Sequence, residues 1–383
     1  STPIKSSAAS DVYKRQIHNS LQELKSDHIN KYNGSNFYYY VSVFGLLLIS
    51  FRLQIPSLIF IIGAIIIRGT TFKQNISGWL WFGSITFFFG IYLFLGLDNY
   101  ERGADKFLSR TLVIYLYFVF FYGLGCVRTQ NRERLLSFFS LFSVVYVYAV
   151  CIYSKISGYP GYNGIYDVFN GNDENSPLYA LQLILFTILY LHLNAGKINK
   201  IWVGLLIITS FYFSVIYLGS RASFLLLIFY FIFVIFKHKT NLLISFIIFI
   251  PFIVTLFIYI NDFNFLNYLD FGGFENRGLS SPRFSMLEYG LKNFMNYPWG
   301  GLIVHGEGYD GIWFHNMLLD IVRVSGYYTM FVWLFILLMA GLVILKREKF
   351  YFPIFLILNI ALMQDLAFDG FFNIMALEFF YWV

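Results

Sequence analysis

Eleven apolar stretches without a single Asp, Glu, Lys or Arg recur along this chain, at residues 37–51, 53–67, 78–97, 111–126, 135–153, 177–195, 201–219, 222–236, 241–260, 326–345 and 350–363. A twelfth begins near Phe371. Segments of this kind approach the roughly 20 residues that a helix needs to cross a bilayer. Inside hydrocarbon every backbone N–H and C=O must find its partner within the segment, which leaves a helical bundle as the accessible architecture for such spans. Charged residues make up 13% of the chain, against about 25% in soluble domains, so a water-facing globule is excluded. The expected fold is an all-α polytopic membrane protein of eleven or twelve transmembrane helices, with one large extracytoplasmic loop containing short helices. No internal repeat is visible.

The ends stand apart from this pattern. Ser6 to Gln16 reads SSAASDVYKRQ, which resembles the in-frame translation of a sequencing-library adapter, so residues 1–16 are set aside from fold reasoning. The apolar run that opens near Phe371 stops at Val383, too short to span. The expectation is a chain truncated at both ends. Its organisation reads as a cytoplasmic segment at 17–36, nine helices with short loops at 37–260, a catalytic loop at 261–325 and C-terminal helices at 326–383. Lys5, Lys14, Arg15 and Asp11 contribute +2 of the formal +6, leaving +4. That surplus follows the loops between spans and does not point to nucleic acid. Cys126 and Cys151 fall near opposite ends of consecutive spans, which argues against a disulfide or a shared metal.

Orientation follows from lysines and arginines in short loops. One set of connections carries Arg128, Arg132 and Arg134, then Lys197 and Lys200, then Lys237 and Lys239, then Lys346, Arg347 and Lys349. The alternate set carries Lys155 and Arg221, and a loop with Arg102, Lys106 and Arg110 that Asp98, Glu101 and Asp105 balance. The first set is assigned to the cytoplasm. The 154–176 loop, Arg221 and the 261–314 excursion then face outward.

The ionisable residues suited to chemistry gather on that outward side. Ser281 and Pro282 fit a helix start, with serine as N-cap and proline at the first helical position. Phe284, Leu287, Leu291 and Phe294 follow at helical spacing, as the apolar face. Arg283 lies in the first turn, where a cation opposes the helix dipole unless an anion joins both. A phosphate there would take the free backbone N–H groups and the guanidinium fork. The plainer reading pairs Arg283 with Glu288 or lipid head groups. Arg221, in Gly219-Ser220-Arg221-Ala222, is tied between two spans; it suits a fixed phosphate clamp, or simply snorkels. His315 follows Gly306, Gly308 and Gly311 and opens a short amphipathic run ending at Gly326. A neutral histidine accepts a proton at working pH; the plainer reading is a loop histidine bonded to Asn316. His305 is the rival base, and Asp310 and Asp320 are placed to orient either ring. No motif for metal or nucleotide binding occurs.

Ser220-Arg221-Ala222 at a span junction, a long outward loop, Arg283 opening a helix, Pro298 to Gly300, Gly306-x-Gly308, His315-Asn316 and Gly326 together resemble the O-antigen polymerase and ligase family, from about Ile201 to the C-terminus. The family's tryptophan shortly after the second arginine has no obvious counterpart; Tyr289 and Phe284 stand nearest. The resemblance implies a C-type, multi-helix glycosyltransferase in the bacterial inner membrane, with an undecaprenyl-diphosphate-linked oligosaccharide as donor and no cofactor or metal. It implies Arg221 and Arg283 as diphosphate ligands, His315 as base, and Asn316, Gly306, Gly308 and His305 as further substrate-binding positions. The expected activity is polymerisation of repeat units into O-antigen, capsular or exopolysaccharide, with a chain-length regulator or another polysaccharide-assembly protein as partner. A ligase moving glycan to a lipid core or protein is the alternative. A lipid or polysaccharide flippase is the alternative from another class, disfavoured by charge-free spans and the lack of repeats.

Overall fold

The computed structural model describes residues 37–69, 76–125, 129–162, 164–238, 282–306, 312–347 and 349–363. The expected span at 241–260, the one opening near Phe371, Gly308 and Asp310 lie outside the described residues. The described chain is mostly helical: α1 (Phe37–Ser50), α2 (Gln54–Gly69), α3 (Ile76–Gly96), α4 (Ala104–Gly125), α5 (Thr129–Ile156), α6 (Ser176–Leu193), α7 (Lys200–Phe211), α8 (Arg221–His238), α9 (Pro282–Asn293), α10 (Met317–Arg347) and α11 (Phe352–Leu362). A two-stranded antiparallel hairpin, β1 (Ile165–Asp167) and β2 (Asn172–Glu174), interrupts the loop after α5, with Ile165 opposite Glu174. Among the described residues six helical stretches are long and apolar enough to cross a bilayer: Gly78–Gly96, Ala104–Gly125, Arg132–Ile156, Ser176–Leu193, Lys200–Tyr217 and Met317–Lys346. The described residues are thus mostly helical with little sheet, in keeping with an all-α, multi-pass membrane protein.

α6 is the central helix. Most of its side chains are buried, from Tyr179 through Leu193, and α5, α7, α8 and α11 pack around it. With lipid as solvent, apolarity alone does not bring helices together; close packing and interhelical hydrogen bonds do. Both are present here: Thr187 shares its hydroxyl with Ser210 of α7 at 2.8 Å, and Tyr148 of α5 bonds Ser210 at 2.6 Å. A second layer joins α3 to α10 through Trp333, fully buried against Phe88 with ring centroids 4.5 Å apart.

Polar contacts tie each end of the bundle separately. At one end Arg52, in the α1–α2 turn, lies 3.8 Å from Glu174 and over the Tyr179 ring at 4.7 Å. The buried Asp167 carboxylate closes the hairpin there, accepting from Tyr146 and, at 2.6 Å, from Tyr179. At the other end the Tyr351 hydroxyl donates to Glu133 at 2.8 Å, His192 Nε2 meets the Phe350 carbonyl at 2.6 Å, and Asn194 donates to Ser137 at 2.7 Å. The second end carries Arg132, Arg134 and Lys197, members of the basic loop set. The first is the end where the expected site residues gather.

α10 is a broken helix. Gly326 sits inside it at φ 88° and ψ 168°, a conformation open to glycine and strained for other residues. A Cβ there would lie 2.0 Å from the Pro298 carbonyl oxygen. The loop after α9 is docked into the break. Tyr327 N–H donates to Tyr297 O at 3.1 Å, and the Arg323 carbonyl accepts from Gly301 N–H at 2.8 Å. These are the groups that an unbroken helix would have paired with each other, so the loop satisfies what the kink released. Asn99, from the α3–α4 loop, adds donations to Trp299 O at 2.9 Å and Val324 O at 3.1 Å. The charge-free span expected from Gly326 does start at this break, and a further helical stretch from Met317, carrying Asp320 and Arg323, precedes it within α10. The expected amphipathic run before Gly326 is instead almost wholly buried.

Candidate functional site

α9 opens at Pro282, whose fixed φ suits a first helical position. Arg283 is the second residue and is half-buried. It shares a stripe with Met286 and Gly290, spaced at three and seven residues. A Cβ on Gly306 would meet Met286 Cγ at 2.4 Å, and one on Gly290 would meet Leu319 Cδ1 at 2.6 Å and Phe314 Cε1 at 3.0 Å. That stripe therefore packs against the 302–306 segment and the start of α10, and carries Arg283 with it. Of the expected apolar face, Leu287 and Phe294 pack against the core, while Phe284 is 67% and Leu291 56% exposed. Glu288, the acid that a surface pairing would give to Arg283, is held by Lys292 at 2.6 Å. That hydrogen bond and charge keep its carboxyl below the usual range.

His315 stands at the mouth of α10 in a left-handed conformation, φ 53°. Such a backbone costs a non-glycine residue about 1–3 kcal/mol and persists only where its surroundings impose it. Asn316 and Asp320 impose it. Asn316 is the N-cap, its Oδ1 accepting from Leu318 N at 3.1 Å and Leu319 N at 3.2 Å. Its Nδ2 donates to the Met363 carbonyl at the end of α11, at 3.1 Å. The buried Asp320 carboxylate reaches back over the turn, accepting from Phe314 N at 2.9 Å and Asn316 N at 3.3 Å, as in a capping box. His315 is the residue between those two amides, and its side chain interacts electrostatically with Asp320. Asn316, expected to touch substrate, thus has both ends of its amide engaged by protein, and the role this supports is positioning. His305 is exposed, its ring 5.3 Å from that of Tyr289.

One participant was not anticipated. Arg323 is 1% exposed, with its guanidinium carbon 4.0 Å from the Trp313 ring centroid and 5.8 Å from that of Tyr100. Its Nε is 3.8 Å from Asp320 Oδ1, an ion pair without a hydrogen bond, and none of its three nitrogens has a hydrogen-bond partner among the described residues. Arg102 approaches the same Trp313 ring at 5.9 Å. The signal was present in the sequence as an acid and a base three residues apart ahead of a glycine. The sequence places both in the short amphipathic run that ends at Gly326, where Asp320 alone is given a role.

Arg221 is the first residue of α8 and half-buried. Gly219 precedes it at φ 64°, and buried Ser220 caps the helix, accepting from Ser223 N at 3.2 Å and Ser223 Oγ at 2.9 Å. A π-helical turn, Tyr212–Tyr217, ends α7 just before it, the kind of irregularity that re-aims a helix end. α8 and α11 pack together. The start of α11 lies beside His192, which also faces Tyr230 in the second half of α8. α11 thus runs toward the start of α8, which brings Arg221 to the same end of the bundle as Met363, Asn316 and His315. His315 and Asn316 thus stand at the broken-helix mouth with the packed stripe of α9 that carries Arg283 beside it, and Arg221 lies toward the same end of the bundle. Among the described residues no group of three His, Cys, Asp or Glu side chains is placed to hold a metal ion. Compared with known proteins, the chain matches no family, no curated protein and no solved structure.

Proposed function

We propose that this protein is a membrane glycosyltransferase that joins lipid-diphosphate-linked oligosaccharide units at the outer face of a bacterial inner membrane. The observation that supports the reading is that Arg283 on the packed stripe of α9, His315 at the start of α10 and Arg221 at the start of α8 all lie toward one end of the bundle. In the proposed step an acceptor hydroxyl oxygen attacks the anomeric carbon of the donor sugar. His315 takes the hydroxyl proton. The bond from that carbon to the diphosphate oxygen breaks, and the electron pair leaves on the lipid diphosphate. Arg221 and Arg283 hold that diphosphate, permanently charged and able to bind bidentately without a metal. Attack opposite the leaving group inverts the anomeric centre. Polymerisation of repeat units is the favoured form; transfer to a lipid core or protein would use the same residues with a different acceptor. The test is whether substitution of His315 makes cells accumulate single lipid-linked repeats while losing long polysaccharide.

A transporter is the second reading, and one observation favours it. A helix broken at Gly326, with buried Arg323 and Asp320 beside the break, is an arrangement that substrate-translocating proteins also use. Purified protein in sealed vesicles separates the two. The enzyme makes polymer from donor and acceptor on one face, whereas a transporter moves labelled lipid-linked sugar across without lengthening it.

A further inference from the structure

At the opposite end of the bundle from His315, α5 and α6 enclose a cavity of about 390 Å³, lined by Arg134, Lys197, Asn194, Glu133, Phe138 and Leu141 among others. Its polar rim is positive. Arg134 and Lys197 are exposed, and neither is paired with a carboxylate among the described residues. Glu133, the one acid, is occupied by the Tyr351 hydroxyl at 2.8 Å. Asn194 is held against Ser137 at 2.7 Å and so fixes the rim. The start of α5 and the end of α6 meet here with opposing dipoles, which leaves the side-chain charges to set the sign. The floor is apolar and continues beyond the cavity. Phe138, Leu141, Val145 and Ile152 follow one another along α5 at helical spacing; Leu141 is 36% and Val145 51% exposed. A cationic rim above an exposed apolar stripe on a spanning helix has the polarity profile of one phospholipid, phosphate at the top and acyl chain below.

We propose that this cavity is a binding site for an anionic phospholipid, with the phosphate between Arg134 and Lys197 and an acyl chain along Phe138, Leu141 and Val145. Basic pockets between spanning helices recognise acidic head groups in this way. The site shares no residue with the proposed catalytic cluster, so it stands or falls independently of that reading.

The experiment titrates the full chain, purified in phosphatidylcholine-containing detergent micelles, with dioleoylphosphatidylglycerol and follows its melting temperature. Parallel titrations use extra phosphatidylcholine and inorganic phosphate. The proposal expects saturable stabilisation by phosphatidylglycerol alone. In Arg134→Ala/Lys197→Ala the phosphatidylglycerol concentration at half effect should rise on the order of tenfold or more, while the melting temperature without lipid stays as in the wild type. Arg134→Lys/Lys197→Arg should restore the response, because head-group attraction to these cations depends on charge. An equal response in the double-alanine variant would overturn the site. Equal stabilisation by inorganic phosphate would overturn the lipid assignment in favour of a soluble anion, and equal stabilisation by phosphatidylcholine would remove the role of charge.

Discussion

The guanidinium of Arg323 lies on the ring of Trp313, 4.0 Å from its centroid, and both side chains are buried beside the break in α10. The stack joins the helix to the segment that delivers His315 two residues later. Asp320 completes it from below, 3.8 Å from Arg323 Nε. Stripping one member from a buried charge pair leaves the other uncompensated, at about 3–5 kcal/mol. Arg323→Ala should therefore lower the melting temperature of the purified protein sharply. Asp320→Asn/Arg323→Met, which removes both charges and keeps much of the volume, should recover a large part of that loss. A wild-type melting curve for Arg323→Ala would show that the pair does not organise this end.

Gly326 offers a backbone test of the same region. A methyl group there would collide with the Pro298 carbonyl at 2.0 Å and would force a side chain into φ 88°. Gly326→Ala should undock the 298–301 loop, seen as lower thermal stability and faster proteolysis after α9. Gly83→Ala, on α3 with open space around it, should be neutral or slightly stabilising, since alanine outranks glycine in helices by about 1 kcal/mol. Similar behaviour of the two variants would mean that the break is not held by this contact.

The spans were legible because charge-free length is a property that sequence displays directly. What fills the break in α10 was not. Gly326 marks the start of an apolar span in sequence and structure alike, whereas Pro298 and Tyr297, which fill the gap there, are distant in sequence. Arg323 is given no role for the same reason: its run reads as amphipathic in sequence and is buried by partners distant in sequence. For α9 the helical period is legible, and Leu287 and Phe294 of its apolar face pack against the core, but the close approach at Gly290 and Met286 shows only with Leu319, Phe314 and Gly306 in place. His315 and Asn316 were singled out as chemistry-bearing types, while the capping role of Asn316 emerges only once Leu318, Leu319 and Met363 are seen around it.

Sidedness is open to direct labelling. With Cys126 and Cys151 replaced by serine, Asn172→Cys on the exposed β2 strand should react with a membrane-impermeant thiol reagent in intact spheroplasts. Ala195→Cys, at the basic end beyond α6, should react only after lysis. Reversal of the two patterns would place the His315 end in the cytoplasm and remove the outer-face reading.

Arg283→Lys separates a phosphate fork from a general surface charge. Lysine keeps the charge and loses the planar, bidentate donor set. Polymer formation should fall at least tenfold, at unchanged protein level, with the loss appearing in donor affinity. Full activity in Arg283→Lys would leave the residue as one charge among several at the membrane surface.

The measurement that bears most directly on the proposed chemistry is polymer formation in His315→Asn. Asparagine adopts the left-handed backbone readily, so it respects the φ of 53° that Asn316 and Asp320 impose, and it has no basic ring. Removing a general base costs about 10² to 10⁴ in rate. The variant should remain in the membrane at normal level, accumulate single lipid-linked repeats and make no long polysaccharide, while His305→Ala retains most of it. Polysaccharide of normal length and amount from His315→Asn, at normal protein level, would contradict the assignment of His315 as the base and the glycosyl-transfer mechanism built on it.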